Sequence, residues 1–96
     1  MTDHHQPVFR QTAEICNARG LHARAAAKFV KCVERFEAEV SVVRQGTEVS
    51  GFSIMGLMML AASNGTEIEI TTSGPDGEAV MQALLELINS RFEEQE

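Results

Sequence analysis

Two hydrophobic periods meet at one short loop near the start of this chain, and that junction narrows the folds open to it. Before the loop, Phe9, Gln11, Ala13 and Ile15 alternate with Arg10, Thr12, Glu14 and Cys16. That is the period of a strand with one buried face, weakened by Gln11. After the loop, Ala26, Phe29, Val30 and Val33 recur at helical spacing, and Ala23 to Ala27 add strong helix formers. The junction itself reads Asn17-Ala18-Arg19-Gly20-Leu21-His22-Ala23-Arg24. It puts a histidine on a glycine turn where a helix begins. Backbone N–H groups are unpaired at a helix N-terminus, and the helix dipole makes that end positive. An anion such as phosphate is favoured there. Arg24 adds a fixed cation that matches phosphate oxygens. Imidazole is a nucleophile that is largely neutral near pH 7. The combination suits a histidine that accepts a phosphoryl group and passes it on.

The rest of the chain continues the alternation of short strands and helices. Phe36 is expected to close the first helix against the core. Val40-Ser41-Val42-Val43 reads as a second strand, Gln45-Gly46 as a tight turn and Thr47-Glu48-Val49 as a third strand. Ser53 is a good N-cap for a second helix over Ile54 to Ala61, which Asn64-Gly65 should end. Glu67-Ile68-Glu69-Ile70 is a fourth strand with its isoleucines inward. Gly74-Pro75-Asp76-Gly77 reads as a loop in which Asp76 can cap a third helix. Val80, Ala83, Leu84, Leu87 and Ile88 form that helix's apolar stripe, predicted to run to about Phe92. Residues 1–7 and 93–96 are expected to be flexible, solvated ends. The order βαββαβα predicts one α+β domain over residues 1–96, a single sheet with helices on one face.

Composition excludes several classes. Forty-four per cent of the 96 residues are apolar, with no Trp or Tyr, so the core must be thin and mostly aliphatic. The net charge of −6 argues against a nucleic-acid binder, which needs a basic face. Yet Arg19, Arg24, Lys28, Lys31 and Arg35 cluster near the histidine, and such a patch can steer an acidic partner. The longest nearly apolar run, Phe52 to Ala62, is too short for a membrane span of about 20 residues. The N-terminal segment lacks the regions of a signal peptide, so a cytoplasmic location is expected. Cys16 and Cys32 then read as reduced thiols used in packing. His4 and His5 have no acid or cysteine at ligand spacing and read as part of a solvated tail, so no metal site is expected.

At two places the chain resembles the HPr family, the histidine-containing phosphocarriers of the bacterial phosphoenolpyruvate-dependent phosphotransferase system. Gly20-Leu21-His22-Ala23-Arg24 looks like its active-site motif. Ser53-Ile54-Met55-Gly56-Leu57-Met58-Met59-Leu60 looks like the motif around its regulatory serine. The separation of the motifs and the element order also match, from Phe9 to Phe92. The resemblance implies an open-faced β-sandwich, a four-stranded antiparallel sheet under three helices. It implies that enzyme I phosphorylates His22 at Nδ1, that Arg24 stabilises the phosphate, and that an EIIA-type protein takes the group. It implies phosphorylation of Ser53 where HPr kinase/phosphorylase is present. Such a protein is a monomeric carrier rather than a turnover enzyme, and needs no cofactor or metal for the histidine-to-histidine step.

Two positions depart from the family pattern, and two stretches refine it. Ala25 stands where proline usually opens the first helix, which still permits the helix and adds an N–H. Phe52 precedes Ser53 where kinase-regulated members often carry lysine. The "HARAA" and "SIMGLMML" stretches look more like the nitrogen-related branch than the sugar-transport branch.

The second helix carries more apolar residues than one buried face can hold. Leu57 and Leu60 are expected inside. Ile54, Met55 and Met58 are expected to dock partners, together with Leu21, Ala23, Ala27 and Lys28 around the histidine. Asn17 and Gly20 should shape the loop. The alternative is a regulatory binding protein in which phosphorylated Ser53 is what a target reads and the relay is not essential. A small-ligand module is a third class, for which the sequence offers little.

Overall fold

The computed structural model describes residues 7–95. Its elements are β1 (Phe9–Glu14), α1 (Ala23–Glu34), β2 (Glu39–Arg44), β3 (Thr47–Ser50), α2 (Ile54–Met59), β4 (Glu67–Ser73) and α3 (Gly77–Asn89), then a 3₁₀ turn at Arg91–Glu93. The strands form one sheet in the order β1-β4-β2-β3, antiparallel at every pairing. This is the α+β open-faced sandwich that the sequence implies.

The sheet has one wet and one dry face because its strands alternate. In β4, Ile68, Ile70 and Thr72 are buried while Glu67 and Glu69 are exposed. Ile70 lies opposite Gln11 of β1 and Val42 of β2, which fixes the register across the sheet centre. Slipping by one residue would turn the isoleucines to solvent. Buried Thr72 is satisfied by donating from Oγ1 to Gly77 O at 2.7 Å. The β2–β3 hairpin turns through Gln45 and Gly46 at φ 50° and 84°, the positive pair that a tight two-residue hairpin requires. Phe29 and Val33 of α1, Leu57 of α2, and Val80, Leu84 and Ile88 of α3 are fully buried. Each such side chain contributes about 1.5–3 kcal/mol.

Four expectations need correction. The second helix stops at Met59, not Ala61, and Ala61 has a left-handed φ of 52°. Asn64-Gly65 therefore does not end it; Gly65 N instead donates to Ile15 O at 2.7 Å in the turn into β4. Asp76 occupies the N-cap of α3 without capping it through its side chain. Its Oδ2 accepts from Glu37 N at 2.8 Å, tying the start of α3 to the chain between α1 and β2. The third helix ends at Asn89. Asn89 and Ser90 are weak helix formers, and Ser90 Oγ bonds back to Leu87 O at 2.8 Å. Phe92 still reaches the core, but through three left-handed residues, Arg91, Phe92 and Glu93, at φ 60°, 54° and 61°. The fourth correction follows from this turn. Residues 93–95 do not form a free tail, because Glu94 is brought back against the start of α1.

Candidate functional site

The loop before α1 is pinned from both sides. Asn17 is fully buried, and its Nδ2 donates to Gly20 O at 2.7 Å while Gly20 N donates to Asn17 O at 3.1 Å. Asn64 Nδ2 also donates to Asn17 O, at 3.2 Å. Gly20 sits at φ 67°, and a Cβ there would lie 2.6 Å from Ala62 O. Both the backbone angle and the space exclude any other residue without a shift. Leu21 N donates to Ala62 O at 2.8 Å, which locks the loop to the chain after α2. This pull takes Leu21 into the core at 4% exposure, so its side chain is not available to a partner as the sequence reading expected.

His22 follows as the N-cap of α1, in extended backbone at φ −79° and ψ −178°. Its carbonyl accepts from Ala26 N at 2.8 Å, but its ring makes no bond to the helix. The N–H groups of Ala23, Arg24 and Ala25 have no acceptor within the helix, as in any first turn. The ring instead turns toward the C-terminal segment. Nε2 lies 2.5 Å from Glu94 Oε2, and the two side chains are 19% and 11% exposed. The other Glu94 oxygen, Oε1, accepts from Asn17 Nδ2 at 3.1 Å. Asn17 thus serves the loop and the carboxylate together. Burial pushes the Glu94 carboxyl up. Hydrogen bonds from His22 and Asn17 and the charges of His22 and Arg19 outweigh it and hold the group below its ordinary value.

The cations lie around this pair. Lys28, half-buried, donates from Nζ to Phe92 O at 2.6 Å and so anchors the turn that delivers Glu94. Arg24 is exposed. With Ala18, Arg19, Lys28, Glu93, Glu94 and Gln95 it lines a recess of about 400 Å³ beside the histidine. Three cations and two carboxylates line it, which leaves the recess with one net positive charge.

The second motif is built differently. Ser53 caps α2 from extended backbone at φ −110°, ψ 108°, and its Oγ accepts from Gly56 N at 2.9 Å. Leu57 and Leu60 are buried. Met55 and Met59 are 71% and 75% exposed, and Phe52, Ile54 and Met58 are also exposed. Because α2 packs on α1 and β3, this apolar surface adjoins the helix that His22 caps. Ala23 is exposed and Ala27 half-buried. Met59 and Phe52 extend the patch beyond the residues that the sequence reading picked out. Glu94 was missed altogether. No local signal marks it, since it lies 72 residues from the ring it touches. His4 and His5 lie outside the described residues. Among the described residues, no cluster of three His, Cys, Asp or Glu could hold a metal ion, and no helix is long and apolar enough to cross a membrane.

Fold and site together define a small single-sheet α+β module that presents an imidazole at the start of its first helix, with cations beside it. A family model described as "PTS HPr component phosphorylation site" matches residues 9–90. Phosphocarrier protein HPr of Neisseria meningitidis is 49% identical over 89 residues, which is 93% of this chain and all of that protein. Phosphocarrier protein HPr of Pseudomonas putida is 51% identical over 83 residues, 85% of this chain and 92% of that one. The crystal structure of HPr-C-His from Thermoanaerobacter tengcongensis superposes with a TM-score of 0.87 at 39% identity, covering 92% of this chain and 99% of the other. The chain belongs to the HPr family of phosphotransferase-system phosphocarriers. The family match stops at residue 90, so Glu94 lies beyond it.

Proposed function

We propose that this chain is a phosphocarrier in which His22 accepts a phosphoryl group from enzyme I and hands it to an EIIA-type protein. The observation that carries this reading is the His22 ring, which stands at the N-cap position of α1 without capping it. It sits inside the family match and takes no part in holding its own helix. The nitrogen left free by Glu94 is Nδ1. Its lone pair forms the new bond to phosphorus as the donor's bond breaks, and that bond's electrons stay with the donor. Arg24 and the first-turn N–H groups meet the charge that arrives, since in such transfers the protein chiefly positions groups and neutralises charge. Ile54, Met55 and Met58 supply the docking surface, with Ala23, Ala27 and Lys28 at its edge. Encounters of a carrier are brief, with interfaces below about 1,200 Å² in total. The carrier works as a cytoplasmic monomer.

Ser53 gives a second reading of regulation. Its Oγ is half-buried beside the exposed methionines. A phosphate there, added by HPr kinase/phosphorylase, would bring about two negative charges to the docking face and hinder an acidic partner. The deciding experiment incubates the protein with enzyme I and phosphoenolpyruvate beside a His22→Ala control. An acid-labile, base-stable adduct on the wild type alone supports the relay. No adduct on either sinks it and favours the Ser53-centred regulatory role.

A further inference from the structure

We infer that Glu94 is a positioning residue for phosphoryl transfer, holding His22 with its proton on Nε2 and its lone pair on Nδ1. The inference rests on the carrier reading above and adds to it a residue that lies past the end of the family match.

Four observations carry it. First, the contact is short and shielded, 2.5 Å between Nε2 and Oε2 with both side chains largely covered. Second, an ionised carboxylate can only accept, so the proton between them belongs to Nε2. Third, the carboxylate cannot swivel freely, because its second oxygen is held by buried Asn17 at 3.1 Å. Fourth, the segment is delivered by a turn of unusual backbone, closed by bonds from Glu93 N to Ser90 O at 3.0 Å and from Glu94 N to Arg91 O at 3.1 Å. Three consecutive non-glycine residues sit at positive φ, and a bulky one among them is an outlier. Burial of Phe92 and the bond from Lys28 Nζ to Phe92 O hold that turn in place.

The chemistry follows. When the Nδ1 lone pair bonds to phosphorus, the ring gains positive charge. The Nε2 proton stays on the ring, and the Glu94 carboxylate meets that charge through it. Glu94 touches neither phosphorus nor donor, so it acts through His22. The same arrangement orients other reactive histidines, where a carboxylate on one nitrogen fixes the tautomer at the other. His22 and Asn17 bond to Glu94 and Arg19 acts on it through its charge, while Arg24, Lys28 and Glu93 line the same recess.

The test compares wild type with Glu94→Gln and Glu94→Ala, each at full length. Gln matches the shape but cannot satisfy both donors with oxygen. On the unphosphorylated, ¹⁵N-labelled proteins, NMR reads the His22 ring proton. A downfield Nε2 proton that exchanges slowly with solvent is expected in the wild type and lost in both variants. Stopped-flow transfer from phosphorylated enzyme I should slow about tenfold in Glu94→Ala, the size expected for one charge-assisted hydrogen bond. Glu94→Gln should slow transfer while melting close to the wild type, which a merely structural role would not produce. An Nε2 proton signal and a transfer rate unchanged in Glu94→Ala would overturn the inference and leave the carrier reading standing. Failure of the wild type to accept phosphate would overturn both.

Discussion

His22 and Ser53 occupy the same place on two helices and spend their side chains differently. Each is an N-cap in extended backbone. The Ser53 hydroxyl turns inward to Gly56 N and closes the first turn of a six-residue helix that would be marginal without it. The His22 ring leaves its own first turn open and reaches across the chain to Glu94. α1 can tolerate this because it is twelve residues long and buries Ala25, Ala26, Phe29, Val30 and Val33. A helix held by packing can give up its cap to chemistry, whereas a short one with only Leu57 buried needs the cap for itself.

Substitutions can break this contrast or sharpen it. The largest effect is on chemistry. His22→Ala should abolish phosphoryl acceptance from enzyme I; no cap bond is lost, so the fall in stability should be limited to the bond to Glu94, about 1.5–3 kcal/mol. A larger fall in stability would show that the ring holds the fold after all. Next comes Phe92→Ala, which empties a fully buried site and should cost about 3–5 kcal/mol in chemical denaturation. It should also free the turn that carries Glu94 and so weaken the protection of the His22 ring proton. Ser53→Ala should cost about 1 kcal/mol and leave acceptance at His22 intact, separating the structural cap from the proposed phosphoacceptor. Met55→Ser and Met59→Ser, on exposed positions, should change stability by less than about 0.5 kcal/mol. If this patch docks partners, calorimetric titration with enzyme I should weaken all the same. Unchanged affinity would move docking off α2.

The smallest effect is electrostatic. The Glu94 carboxyl is held below its ordinary value in the folded state. A group depressed in this way adds stability above its unfolded pKa and loses it as pH falls through the folded one. The difference in melting temperature between wild type and Glu94→Gln, small to begin with, should therefore shrink further as pH drops below 4.5. A difference that grew with acid would contradict the assignment of His22, Asn17 and Arg19 as the groups that stabilise the ionised form.

The same contrast explains what could be read from the sequence. Local signals were legible where local forces decide. The Ser53 cap, the Gln45-Gly46 turn, the alternation in β4 and the stripe of α1 all follow from neighbours in the chain. Boundaries failed where two signals compete. Val80, Leu84, Ile88 and Phe92 keep one helical beat, yet Asn89 and Ser90 stop the helix and Phe92 arrives by a left-handed turn. Asp76 looked like a cap because its type favours caps, but the nearby amide of Glu37 claimed its carboxylate. At the site, the loop, the histidine and Arg24 could be named from one stretch of chain. Burial of Leu21 and the Glu94 contact could not, because both depend on where distant segments meet.

The bond between His22 and Glu94 spans 72 residues, and those between Asn17 and Glu94 and between Lys28 and Phe92 span 77 and 64. A chain that stops short of Phe92 can make none of these contacts, and contacts of such high sequence separation are slow to form. The oriented imidazole is therefore a product of complete folding. A histidine read from the first quarter of the sequence has its geometry settled by the last few residues, so its ring proton reports on the whole domain as well as on the site.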